Sequence, residues 1–322
     1  MKDSPWVVAV SGILCMVGLA CAVADDVPSR APESESGQRY LIIHADDAGM
    51  SHSANLGTIH GMEKGVVSSA SIMVPCPWFP EFADYARQHP KMDFGVHLTL
   101  NCEWDFYRWG PVAPREKVPS LVDKDGYLWD NVAQVAAHVS AREVDVELRA
   151  QIDRAKDFGV PLSHIDTHMG AVLSRPDLVE IYVSLGIDYD LPVLFLRKMG
   201  EEVSREYPAL AEKGSALVRR LDEARLPILD SVAQHYGGKS HAERKANYLR
   251  TLRDLPPGVS QLIIHCGYDN EELRGITSSA ARRDGDRLIF TDPEVIAEIQ
   301  RQRIKVITWK QFRQMVAQSA RK

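Results

Sequence analysis

Cysteine is scarce in this sequence, five residues in 322, and no stretch concentrates charge of one sign. Cys15 and Cys21 fall within the first 24 residues, leaving Cys76, Cys102 and Cys266. So odd and sparse a set excludes a disulfide framework, with one bridge left open. The 38 basic and 44 acidic side chains are interspersed, for a net charge of −6. That balance offers no basic field to nucleic acid, which is not an expected partner. No internal repeat or low-complexity tract is present, which excludes repeat architectures. Beyond the N-terminus there is no apolar run of the roughly 20 residues that span a bilayer, so no membrane span of the mature protein is expected.

What is present begins with a segment set apart from the fold. Lys2 is followed by a mostly apolar run from Trp6 to Ala20 and then by Ala22-Val23-Ala24. Residues 1–24 read as a signal peptide cut after Ala24, which implies an exported protein, periplasmic or extracellular; an uncleaved N-terminal anchor is the alternative. Residues 25–38, rich in Pro, Ser, Glu and Asp, read as a flexible linker with too little apolar surface to offset its ordering entropy. The remaining residues, 39–322, are enough for one large α/β domain with a sizeable core.

Along that domain short apolar runs alternate with amphipathic ones. Tyr40–Ala45, Ser68–Val74, Asp93–Leu100, Leu162–Asp166, Val193–Leu196, Gln261–His265 and Lys305–Thr308 read as strands. Ser53–Lys64, Trp78–Gln88, Val144–Phe158, Pro176–Ser184 and Pro293–Gln302 read as helices. Recurrent strand and helix units of this kind point to a single parallel (β/α) barrel, whole or distorted. The segment Asn101–Asp130, rich in Trp, Tyr, Pro and Gly, is too long and aromatic for a simple connector. It reads equally as the wall of a carbohydrate groove and as a packing cluster under a loop.

Four of the strand ends carry chemistry. The first stops at Asp46-Asp47-Ala48-Gly49, and two adjacent carboxylates repel unless a cation or a shared proton relieves them. Gly95-Val96-His97-Leu98, His164-Ile165-Asp166-Thr167-His168 and Ile264-His265-Cys266-Gly267 each end an apolar run in histidine. A parallel barrel gathers the carboxyl ends of its strands around one mouth, so Asp47, His97 and His168 can meet there although distant in sequence. One carboxylate and two imidazoles with open positions suit a hydrolytic divalent metal. His44, His52, His60 and His164 compete for the same reading. Strand alternation puts His44 on the side of Asp46 and opposite Asp47.

These motifs, in this order, resemble the YdjC-like family of carbohydrate deacetylases, over roughly Arg39 to Phe312. Gly65-Val66-Val67-Ser68-Ser69-Ala70-Ser71, Arg282-Arg283-Asp284 and Phe290-Thr291-Asp292-Pro293 extend the likeness. The resemblance implies a distorted (β/α) barrel with one divalent ion, Mg2+ or Zn2+, on Asp47, His97 and His168. It implies Asp46 as general base, His265 as general acid, and an acetylated amino sugar or oligosaccharide as substrate. Arg197, at the end of Val193–Leu196, is a candidate to orient Asp46 or grip substrate, with a surface ion pair as its alternative. The chain departs from the family at His44, Ala48 and Cys266, and has Met169-Gly170-Ala171 where the family has a histidine-rich run. Hydrolysis of another amide, ester or phosphoester, a non-catalytic sugar-binding role and a homodimer all stay open.

Overall fold

The computed structural model describes residues 37–319. Seven strands are present among them: β1 (Arg39–Ala48), β2 (Ser69–Ile72), β3 (Phe94–Leu98), β4 (Leu162–Thr167), β5 (Ser231–Gln234), β6 (Gly258–Ile264) and β7 (Lys305–Val306). All their pairings are parallel, in the order β4-β3-β2-β1-β6-β5, with β7 also on β1. The arc is completed by single bridges, Ile165 to Val193 and Leu196 to Leu229. Val193–Leu196, expected as a strand, therefore spans the gap between β4 and the chain leading into β5 without becoming a full ladder. This is the distortion in a barrel whose alternating helices and parallel strands were expected.

Strand β1 carries apolar residues on both faces because both are covered. Leu41, Ile43 and Ala45 pack into the larger core with helix residues such as Phe82, Leu148 and Val179. Ile42 points the other way, into a smaller cluster with Leu196, Leu229, Val259, Trp309 and Phe312. Alternation then places His44 and Asp46 on the face of Ile42. Apolar packing thus gives way along β1 to polar side chains toward the carboxyl end.

The helix His52–Lys64 is capped by the Ser51 hydroxyl, which accepts from the Ala54 amide, so neither Asp46 nor Asp47 is needed as a cap. Its Gly57 lies against the backbone of Gly267: a Cβ there would fall 2.4 Å from the Gly267 Cα. The β1–β6 ladder, which pairs Ala45 with Ile264, sets His265 beside the end of β1, and this close approach lets the helix pack against the segment that follows. Residues 1–36 and 320–322 lie outside the described residues, and with them the segment read as a signal peptide and almost all of the one read as a linker. No helix among the described residues is long and apolar enough to cross a membrane.

Candidate metal centre

Regular alternation would send Asp46 and Asp47 to opposite faces of β1, yet both reach the same site. Between β1 and β2 the register shifts between Ala45 and Ala48, and Asp47 takes a left-handed φ of 65°. This bulge turns Asp47 back toward the mouth. Here the sequence-based expectation that Asp47 faces away from His44 and Asp46 is overturned, because the period of two fails at the extra residue.

Around Asp47 the other strand ends converge. Its Oδ1 lies 3.3 Å from His97 Nε2 and 3.3 Å from His168 Nδ1. That oxygen is buried without a hydrogen-bond partner among the described residues. Its other oxygen accepts from Arg283 Nη2 at 2.7 Å. One donor atom from each of Asp47, His97 and His168 falls within 4.8 Å of the others, a set able to hold an ion. Each imidazole has its remaining nitrogen on a carboxylate: His97 Nδ1 on Asp166 Oδ1 at 2.7 Å, and His168 Nε2 on Glu103 at 3.0 and 3.1 Å. Carboxylates behind histidines orient them in metal centres. The buried, unpartnered oxygen between two imidazole nitrogens fits a divalent cation.

Asp46 lies beside this set, with Oδ2 3.8 Å from His97 Nε2 and 4.0 Å from His265 Nε2. Burial pushes its carboxyl up to about 7, with Asp166 and Asp47 adding to the rise and His97 and His44 opposing it. Burial would raise Asp47 too, but Arg283 and the two imidazoles hold it well below the usual carboxylate range. Burial would lower His168, but Glu103 and Asp47 outweigh it and push the imidazole up to about 9. Burial likewise opposes charge on His97, whose carboxylate neighbours Asp166 and Asp46 raise it well above the ordinary value. His265 is driven the other way, by burial and then by Arg283 and Arg282, despite Asp47, so it rests neutral.

Arg197 does not join the cluster. Its backbone N–H donates to Leu229 O at 2.8 Å, and its guanidinium forks onto both oxygens of Asp222 at 3.0 Å. No described hydrogen bond or ion pair links it to Asp46, and the pair with Asp222 is the alternative that was expected for it. His52 pairs with Glu81, and His60 faces the Tyr268 hydroxyl, both away from the centre. His44 and His164 sit beneath it, fully buried. His44 Nε2 lies 2.9 Å from Asp166 Oδ2 and 3.3 Å from Asp46 Oδ1, while Ser69 holds its Nδ1. The His164 ring stacks on Trp309 in space left by Gly95.

Sequence reasoning missed three participants. Asp166 is the register partner of His97 on β4, a signal available in the interleaved His164-Ile165-Asp166 pattern. Arg283 stood in a family motif without a role, and Glu103 stood in the aromatic segment with no signal at all. In that segment Trp104, Tyr107 and Trp109 pack on one another with ring centroids 5.5 to 6.3 Å apart. Trp109 is buried, so the segment is a packed wall beside the centre.

Over residues 40–301 the sequence matches the family described as YdjC-like protein. The chain belongs to the YdjC-like family. Among YdjC-like relatives, a protein of Thermus thermophilus named carbohydrate deacetylase is 33% identical over 281 residues, 86% of this chain and 95% of that one. A protein of Thermoanaerobacter pseudethanolicus with the same name is 28% identical over 258 residues, 80% of this chain and 93% of the other. A crystal structure from Enterococcus faecalis V583, of a protein provisionally described as a cellobiose-phosphate cleavage protein, superimposes with a TM-score of 0.72. It is 27% identical and covers 85% of this chain and 98% of its own. The YdjC-like match starts at residue 40 and takes no part in the N-terminal segment. The export and the anchor alternative expected from residues 1–24 find no support: the family match begins beyond them and they lie outside the described residues.

Proposed function

We propose that this chain is a metal-dependent carbohydrate deacetylase that removes N-acetyl groups from amino sugars or oligosaccharides, with residues 39–322 as its catalytic domain. The observation that carries this reading is the convergence of Asp47 Oδ1, His97 Nε2 and His168 Nδ1, with each histidine backed by a carboxylate. The names of the relatives supply the substrate class.

Charge bookkeeping favours a divalent ion. Both imidazoles are drawn toward their protonated forms by the surrounding carboxylates. Replacing those two protons by one dication leaves the charge of the cluster unchanged. Bound by Asp47, His97 and His168, the ion would supply the positive charge that polarises an acetyl carbonyl and acidifies water. The donor set suits Zn2+ by its imidazoles and admits Mg2+ with water completing the shell.

Asp46 stands next to these ligands with its carboxyl near neutral pKa, the condition under which a general base both takes and returns a proton. It takes a proton from water as the oxygen attacks the acetyl carbon. The proton ends on the departing sugar nitrogen, with His265, 4.0 Å from Asp46 Oδ2, as the candidate general acid that delivers it. Acetate and the free amine leave. Arg283 holds one oxygen of Asp47, which leaves the other for the ion.

The test pairs metal analysis with acetate release from N-acetylchitooligosaccharides. His97→Ala and His168→Ala are expected to lose bound metal, whereas Asp46→Asn keeps it and loses about 100-fold or more in kcat. Full metal content in both histidine variants, or unchanged turnover in Asp46→Asn, rejects the assignment.

A further inference from the structure

The backbone leaves regular structure immediately after His168. Met169 and Gly170 take left-handed φ angles of 51° and 66°, so no strand or helix ladder fixes the direction of the histidine ring. Its two nitrogens are nevertheless both committed. Nδ1 faces Asp47 Oδ1 at 3.3 Å, and Nε2 meets both oxygens of Glu103 at 3.0 and 3.1 Å. An ionised carboxylate only accepts, so Nε2 must carry the hydrogen between them. Nδ1 faces Asp47, where a cation taking the place of its proton would meet its lone pair. The same logic holds His97 by Asp166, but Asp166 is a strand neighbour, whereas Glu103 comes from the aromatic segment, 65 residues from His168.

We propose that Glu103 is the positioning residue of the metal centre: it fixes the ring orientation and tautomer of His168 so that Nδ1 is offered to the cation. The inference rests on the cation assignment above and goes beyond it by giving the segment Asn101–Asp130 a part in metal binding. Two further contacts tie that segment to the same place. Asn101 Nδ2 lies 3.1 Å from the Met169 sulfur, and the Tyr107 hydroxyl donates to the Met50 carbonyl, just past Asp47. Asn101 itself bridges to Trp129, and Cys102 N donates to Trp129 O at 2.7 Å. Glu103 therefore projects from an anchored stretch. It is not a fourth ligand, because it occupies the ring nitrogen that faces away from Asp47.

The experiment uses the full chain stripped with chelator and titrated with zinc(II) by calorimetry, for wild type, Glu103→Ala, Glu103→Gln and His97→Ala. Glu103→Ala is expected to weaken zinc binding about 10- to 100-fold. Glu103→Gln keeps a neutral acceptor for the Nε2 hydrogen and should recover part of that loss. A role confined to packing would leave both variants with wild-type affinity, and that result overturns the inference. Equal losses in the two variants also count against it, since the conservative change should rescue. If His97→Ala binds zinc as wild type does, the cation assignment falls and this inference with it. If His97→Ala loses zinc while Glu103→Ala does not, the inference alone falls.

Discussion

Asp166 joins two histidines that do different work. Its Oδ1 accepts from His97 Nδ1 at 2.7 Å, and its Oδ2 lies 2.9 Å from His44 Nε2, which also approaches Asp46. The carboxylate is 1% exposed, so both rings depend on it, with water kept out. Burial would raise its pKa, but His97 and His44 hold it ionised, which keeps it an acceptor on both sides. In Asp166→Asn one face of the group becomes a donor, and either His97 or His44 loses its acceptor. We expect metal affinity to fall about 10- to 100-fold, together with about 1 to 3 kcal/mol of stability. Calorimetric metal titration alongside thermal unfolding checks both, and an unaltered affinity would show that His97 needs no orienting partner.

At the scale of elements, the sequence was most legible where apolar runs end abruptly. Tyr40–Ala45, Ser53–Lys64 and Leu162–Asp166 correspond to elements whose bounds differ by one to three residues. Val193–Leu196 was less so, because β-propensity does not tell a ladder from two single bridges. The helices Pro208–Glu223 and His241–Arg253 and strand β5 were not read at all, the strand because its four residues are only half-buried and one alone, Val232, is β-branched. At the centre, the adjacency of Asp46 and Asp47 was visible but the bulge that aims both was not. Glu103 could not be found, as its contact with His168 is made by tertiary packing alone.

One such tertiary contact yields a pH prediction. The Glu147 side chain, on the helix Ala141–Asp157, accepts from the Val112 and Ala113 amides at 2.9 and 2.8 Å and from Gln151 Nε2 at 2.8 Å. It thereby pins the aromatic segment to that helix. Burial pushes its carboxyl up to about 7, against the pull of these donors. The folded chain thus holds a proton that the unfolded chain has released above the ordinary glutamate value of 4.5. That contribution to stability is fully present below pH 4.5 and is lost as pH rises through about 7, a change of up to about 3 kcal/mol. Glu147→Gln removes the titrating group. Its stability relative to wild type should therefore improve steadily between pH 4.5 and pH 7, read from chemical denaturation at each pH. A gap independent of pH would mean that the amide donors keep Glu147 ionised throughout.

On the scale of the whole molecule, the centre ties together parts of the chain that the fold otherwise joins only through the sheet. Asp47 ends β1, His97 lies in β3, and His168 follows β4. Arg283, from the helix Ala280–Ile289, is clamped to Asp47 as well. On the far side of the barrel the ring is closed, among the described residues, by two single bridges, at Val193 and Leu196. A cation held by Asp47, His97 and His168 would bind the folded chain alone, because the unfolded chain has no reason to bring the three together. Linkage then requires that it stabilise the fold, by about 2.7 kcal/mol at a free concentration 100 times its Kd. For a domain of this length that corresponds to a rise in Tm of about 5 °C. Chelator should reverse the rise, and His168→Ala should show neither the rise nor its reversal. Scanning calorimetry with and without zinc(II) makes the measurement. An equal shift in wild type and His168→Ala would place the stabilising ion elsewhere on the molecule, and the convergence of these three strand ends would then need another explanation.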